Sequence, residues 1–428
     1  MRSLRSETIL SLGGWVEVAT DKTLLGLDIG TSSIRAVIAS VNRDGQLMIE
    51  AIAERASEGV KSGSIVNIEQ TLKAINSVIS DAELQSGTEV SSAILGIGGD
   101  HIEGISSNGA VGITSKDQEI KNDDIRKSIE IARARDIPQD SEILHTLVQD
   151  FQVDSRSGIK DPIDMLGHRL ETRVLLVLGS SSICQNQRKC VQKAGIQVQR
   201  MVLQPLADSE VVLTNEEKEM GAIVINIGAG TTNMICYLQG SPVYVGGIGF
   251  GGDNVTGDIA YMLQLPRVAA ESIKISDGSC HTPSVSPDEM IITPAVGGKP
   301  SFRFPRKELA KVIEPRMAEI FSLLQGELEK HDISGSFGAG IVLVGGGSLL
   351  SGATELAAEI FRLPARLGFP QAINGLDRQY IDPKYSTVLG LVKIEAKKYR
   401  DSGNHNISRG KDKAGFSSKM KGLFSKLF

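Results

Sequence analysis

A chain of 428 residues is long enough for two or more hydrophobic cores, because a single core stops growing near about 250–300 residues. With 41% hydrophobic and 23% charged residues the composition is that of an ordinary globular protein, and a net charge of −5 excludes a global basic field that would recruit nucleic acid. Cys184, Cys190, Cys236 and Cys280 show neither CxxC pairing nor histidines at metal spacing, so free thiols in a reducing cytoplasm are expected rather than structural zinc.

Residues 1–22 come first in chain order. MRSLRSETILSLGGWVEVAT places arginines before a few apolar residues, but Glu7, Gly13, Gly14 and Glu17 interrupt the run, so it makes a poor signal peptide. The stretch is read as an N-terminal extension, with its order left open. No apolar run approaches the roughly 18 residues of a membrane span, and the body of the protein is expected to be cytosolic.

From Leu24, LLGLDIGTSSIRAVIA reads as strand, tight turn, strand. Gly30 lets the backbone turn sharply and approach a ligand, while Thr31, Ser32 and Ser33 supply hydroxyls beside backbone N–H groups, a set that suits phosphate oxygens. The pattern returns from Ala222 as AIVINIGAGTTNMICY, with Asn226 where the first copy has Asp28, then Gly228, Gly230, Thr231 and Thr232. Either segment alone reads equally well as a hairpin with small residues at the bend. Two copies nearly 200 residues apart point instead to a duplication, two similar domains facing one another.

A turn-rich run, SDGSCHTPSVSPDE, precedes VIEPRMAEIFSLLQGEL, whose apolar residues recur at helical spacing. A third glycine-rich turn follows the apolar strand Ile341 to Val344. Gly345, Gly346 and Gly347 would let a flat base or sugar lie against the backbone, with Ser348 expected as the N-cap of the next helix. This GGG is far from the dinucleotide-binding GxGxxG fingerprint, and none follows an early strand.

The chain ends in GFSSKMKGLFSKLF. On a helix at about 100° per residue, Phe416, Met420, Leu423, Phe424, Leu427 and Phe428 share an arc of roughly 140°. Lys419 and Lys421 flank that arc and Lys426 lies farther round, so apolar groups would enter an acyl boundary while ammonium groups reach anionic headgroups. At roughly 20 Å the helix is too short to span a bilayer. It could instead dock on the protein's own body or on a partner helix. The preceding KKYRDSGNHNISRGKDKAG is polar and reads as a flexible leash, which suits an anchor better than a core helix. One such tail would bind reversibly, and many on one polymer far more tightly.

The three loops, in this order, resemble those of the actin/heat-shock-chaperone/sugar-kinase superfamily: two phosphate loops and an adenosine loop. Within it the chain resembles the FtsA family of bacterial division proteins. The segments that carry the likeness are GLDIGTSSIRAVI, ILHTLVQDFQVDSRSGIKDPIDMLGHRLE, LQPLADSEVVL, GIGFGGDNVTGDIA, AESIKI, KVIEPRMAEI, VLVGGGSLLSG and YSTVLGLV. They run from about Leu24 to Val392, and the terminal amphipathic segment also matches.

The resemblance implies an α/β fold, the actin-like two-domain arrangement with duplicated mixed sheets flanked by helices, an inserted α+β subdomain called 1C, and ATP with Mg²⁺ in the cleft. The divisions it implies are 1–22 as extension, 23–89 and 198–218 as subdomain 1A, 90–197 as 1C, 219–263 and 326–397 as 2A, 264–325 as 2B, 398–414 as flexible linker and 415–428 as membrane-targeting helix. The alternation in RLETRVLLVLG and the helical SSSICQNQRKCVQKAG agree with an α+β module in the insertion. Carried over by position, Asp28 would hold the magnesium through water, Arg35 would stand near the phosphates, and Glu271 and Lys274 would contact ribose and base. Taken without the rest of the pattern, the pair reads better as an i,i+3 salt bridge on a surface helix.

One departure bears on chemistry. The second loop of the superfamily usually begins with aspartate and has three glycines, whereas this chain reads NIGAGTTN. Asn226 and Asn233 each remove a carboxylate and with it a general base, and Ala229 constrains a backbone that glycine leaves free. Nucleotide binding with weak or absent hydrolysis is expected. The resemblance further implies a self-polymerising adaptor that tethers the C-terminal peptide of FtsZ, near Arg316 and Glu319, to the cytoplasmic face of the cell membrane at the septum, and that meets later division proteins but no nucleic acid. The competing readings are a pilus-assembly or cell-shape scaffold, and a kinase of the same superfamily.

Overall fold

The computed structural model describes residues 22–42, 44–293, 300–333 and 335–407. The expected extension before Lys22 and the expected membrane helix, Phe416 to Phe428, lie outside the described residues. The chain opens with an antiparallel meander, β1 (Lys22–Ile29), β2 (Ser33–Val41) and β3 (Leu47–Ala56), and a short hairpin, β4 (Val60–Lys61) and β5 (Ser64–Ile65). α1 (Ile68–Ser86) starts where Asn67 accepts from the N–H groups of Glu69 and Gln70, and ends at Gly87 in the left-handed region, φ 68°. β6 (Ser92–Ile97) then returns parallel to β1.

The chain next leaves this sheet. β7 (Glu103–Gly112), α2 (Asn122–Arg133), β8 (Ser141–Val153), β9 (Arg156–Ile159) and β10 (Arg169–Ser180) form an antiparallel module in the order β7-β10-β8-β9, with α2 packed across β7 and β10. Ile120, Ile125, Ile129, Phe151 and Leu170 fill its own small core. α3 (Ser181–Lys193) packs back on α1, and β11 (Gln197–Leu203) pairs parallel with β6. The insertion is thus narrower than the expected 90–197, because β6, α3 and β11 belong to the first layer. Strand partners decide that boundary, and local alternation carries no information about partners.

After α4 (Gln204–Val212) and α5 (Asn215–Met220), the first design is repeated. β12 (Ala222–Ile227), β13 (Thr232–Leu238) and β14 (Ser241–Ile248) form a second meander, followed by α6 (Gly252–Leu263), α7 (Arg267–Asp277), the pair β15 (Met290–Ile292) and β16 (Arg303–Pro305), and α8 (Arg306–Lys330). β17 (Gly340–Val344) returns parallel to β12, and α9 (Ala353–Phe361), β18 (Ala365–Leu367) and α10 (Ser386–Ile407) are the last of the described elements.

The two sheet orders, β11-β6-β1-β2-β3 and β18-β17-β12-β13-β14, match strand for strand. The inserted sheet abuts the second through the single pair Gly246 and Glu103, helped by Lys160 Nζ donating to Ser241 Oγ at 2.8 Å. β1 and β12 are buried on both faces and read as almost unbroken apolar runs, as central strands under helices do. α10 packs on α4, β1 and β6 and continues to Ile407, ten residues into the segment 398–414 expected as linker. Extending a helix already nucleated by a buried face costs little per residue, so polar composition alone does not end it.

Candidate functional site

The β1–β2 and β12–β13 turns and the residues after β17 meet around a cavity of about 500 Å³, within the usual size of small-molecule pockets. The turns are built alike. Gly30 N–H donates to Ser33 O at 3.1 Å, and Gly228 N–H donates to Thr231 O at 2.9 Å. They also touch: a Cβ on Gly230 would sit 2.6 Å from Thr31 Oγ1, whose oxygen already accepts from Gly63 N–H at 3.1 Å. Gly345 has φ 83°, and a Cβ there would collide with Asn226 Oδ1.

Asp28, Gly30, Thr31, Ser32, Ser33 and Arg35 of the first loop line the cavity with Asn226, Gly228, Ala229, Gly230 and Thr231 of the second. Glu271, Lys274, Gly345, Gly346 and Gly347 complete the expected lining. Two expected residues stand behind it. Thr232 is fully buried and donates to Phe250 O at 2.8 Å. Ser348 lies inside a 3₁₀ turn, Gly346–Leu349, and donates to Gly345 O at 2.7 Å, while α9 starts later, after Gly352. Ser348 therefore closes the third loop and does not cap the helix.

The charged residues show what each loop offers. Asp28 is 6% exposed; burial raises its carboxyl above the usual range, against the opposing pull of Arg35 and the Gln204 hydrogen bond. Arg35 is spoken for: its Nη2 donates to Glu54 Oε1 at 2.7 Å and its guanidinium lies 5.6 Å from the Tyr385 ring centre. Burial alone would raise Glu54, but Arg35, Tyr385 and Lys384 outweigh it and hold its carboxyl below the ordinary value.

Lys274 pairs with Glu271 at 2.7 Å and also donates to Gly252 O at 3.1 Å and Thr256 Oγ1 at 2.9 Å, so the pair staples α7 to α6 at the cavity edge. Arg316 and Glu319 lie on α8 outside the cavity, where Arg316 Nε donates to Asp258 Oδ2 at 2.7 Å and the two residues pair with each other.

Three contributors escaped the sequence reading. Gln204 Nε2 donates to Asp28 Oδ1 at 2.8 Å, and its Oε1 accepts from Asn233 Nδ2 at 3.5 Å. Asn233 Oδ1 in turn accepts from Gly99 N–H at 2.7 Å, at the root of the inserted module. Beneath the second loop, Asn226 Nδ2 donates to Asp208 Oδ2 at 2.7 Å and to Thr387 Oγ1 at 3.1 Å, and Thr387 Oγ1 donates to Asp208 Oδ1 at 2.7 Å. Burial pushes the Asp208 carboxyl up to about 7. The available signal was in LQPLADSEVVL: Gln204 and Asp208 stand four apart on one face of a largely apolar helix.

A family model for cell division protein FtsA matches residues 223–390, and one for the SHS2 domain inserted in FtsA matches residues 99–178, the span of the inserted antiparallel module. A cell division protein FtsA from Borreliella burgdorferi is 44% identical over 406 residues, 94% of this chain and 98% of that protein. A solved PilM-PilN type IV pilus biogenesis complex aligns over 87% of this chain and 98% of that one, with TM-score 0.62 and 18% identity. MreB5 of Spiroplasma citri bound to ADP aligns over 91% of this chain and 99% of that one, with TM-score 0.54 and 14% identity. The last two likenesses show the actin-like fold. With 44% identity across nearly its whole length, the chain belongs to the cell division protein FtsA family.

Proposed function

We propose that the cleft binds ATP with Mg²⁺ and that the chain is a self-assembling division adaptor, joining FtsZ to the cytoplasmic membrane at the septum. One observation carries the nucleotide reading: two equivalent turns oppose each other across a single cavity whose third wall is the Gly345–Gly347 loop. Backbone N–H groups and hydroxyls from both turns suit a phosphate chain, and the open backbone at Gly346, with nothing within 4 Å of a Cβ built there, leaves room for a base. Bound Mg²⁺ would neutralise phosphate charge. Among the described residues no group of three or more His, Cys, Asp and Glu could hold a metal ion, so Asp28 would hold the cation through water.

Hydrolysis is expected to be weak. Asn226 and Asn233 stand where a carboxylate is expected, and an amide, whose oxygen is scarcely basic, cannot take a proton from water. The tether reading rests on family membership and on the apolar arc from Phe416 to Phe428. Vesicle flotation tests it: the full chain should float with anionic vesicles and a chain ending at Lys413 should sediment. Equal flotation of both would defeat the tether. Capture by the FtsZ C-terminal peptide, weakened by charge reversal at Glu319, would support the contact near Arg316.

A further inference from the structure

Asn226 is 8% exposed, yet it lines the cleft. Its two N–H groups are consumed by Asp208 and Thr387 at 2.7 and 3.1 Å. Among the described residues no protein donor reaches its Oδ1, which lies 2.4 Å from where a Cβ on Gly345 of the third loop would stand. The amide therefore offers the cleft an acceptor and no donor.

That choice has to be enforced, because the two ends of a carboxamide are nearly the same size and a half-turn would present NH₂ instead. Thr387 cannot enforce it, since a hydroxyl both donates and accepts. Asp208 can. In its ionised form, which prevails above about pH 7, the carboxylate only accepts, and both its oxygens are engaged here, one by Asn226 Nδ2 and one by Thr387 Oγ1 at 2.7 Å each. Asp208 is fully buried and stands behind the cleft wall, joined to it through Asn226 and Thr387.

We propose that Asp208 is a positioning residue for the nucleotide's cation: it locks Asn226 with its oxygen toward the cleft, opposite Asp28, where that oxygen accepts a hydrogen bond from cation-bound water. The carboxylate expected at the start of the second loop is in effect moved one side chain back. A phosphate oxygen would be repelled at this spot and a coordinated water attracted, so the lock favours the magnesium complex over free ATP. The inference rests on the nucleotide reading above.

The test is equilibrium binding of a fluorescent ATP analogue to the full chain at pH 8, where Asp208 is ionised, with Mg²⁺ and separately with EDTA. Asp208→Asn frees the amide to turn and should weaken the Mg²⁺ complex by about tenfold, at the low end for residues that orient metal sites. Binding in EDTA should change by less than about threefold, which a general loss of packing would not spare. The swap Asn226→Asp with Asp208→Asn puts a carboxylate oxygen back at the cleft and should restore the Mg²⁺ complex. Unchanged Mg²⁺ binding in Asp208→Asn, an equal loss in EDTA, or no restoration by the swap each overturns the proposal. If Asp208→Asn does not fold, the swap decides against Asn226→Ala, keeping a Mg²⁺ preference that the alanine variant loses. A wild-type chain that binds no nucleotide at all overturns the reading of the cleft itself, a result distinct from any of these.

Discussion

In the β1–β2 turn Gly30 bonds to Ser33 at 3.1 Å, and in the β12–β13 turn Gly228 bonds to Thr231 at 2.9 Å, so the two loops share one backbone. Their charges differ. The first keeps a carboxylate, Asp28, in the cavity wall; the second shows an amide, Asn226, with Asp208 behind it. Duplication has preserved the part of the site made by main chain, which any small-residue sequence can build, while the side-chain electrostatics have diverged. A cradle of N–H groups survives such divergence and a general base does not.

The largest test of that asymmetry is electrostatic. Burial pushes the folded Asp208 carboxyl up to about 7, above its unfolded range, so between about pH 4 and 7 the folded chain binds a proton that the unfolded chain has released. Stability should therefore fall as pH rises. Relative to Asp208→Asn, the wild type should lose about 3 kcal/mol between pH 5 and pH 8 in urea unfolding. Parallel pH dependences would mean that the carboxyl is ordinary.

Steric closure comes next. Gly230→Val would drive a side chain into Thr31 Oγ1, 2.6 Å from the Cβ position, and into Ser62 backbone at 2.9 Å. Nucleotide affinity should drop about a hundredfold, some 2.7 kcal/mol, in an equilibrium titration. Retained affinity would show that the loops do not clamp the ligand between them.

Glu210, two residues beyond Asp208 on α4, supplies the opposite sign. Burial by itself would raise its carboxyl, but Lys218 and Lys397 hold it down to about 2. Its contribution is present above the unfolded value near 4.5 and is lost as pH falls toward 2. Because Lys397 is half exposed, solvent screens part of this, and Glu210→Gln should remove about 2 kcal/mol at pH 7 but little at pH 2. The smallest effect belongs to Gly346→Ala, whose Cβ would meet nothing within 4 Å. Its melting temperature should be unchanged while nucleotide affinity falls about tenfold through contact with the base.

The duplicated turns were legible because every residue that makes them is local: an apolar strand, a glycine, hydroxyls and a second strand within 16 residues of LLGLDIGTSSIRAVIA. The GGG loop was legible for the same reason, although Ser348 was misplaced because a 3₁₀ turn and an N-cap share their residue preferences. Gln204 and Thr387 were not legible: Gln204 is 176 residues from Asp28 and Thr387 is 161 from Asn226, and only the folded sheet brings them together. The limits of the inserted module were hidden likewise, since Ser92–Ile97 reads as a strand in either sheet.

The account stands most directly on one experiment: titration of the full chain with Mg²⁺-ATP, followed by phosphate release from the same sample. Saturable binding at one site, with release far below about one per second, is the predicted result. No saturation, or release near that rate, would contradict it.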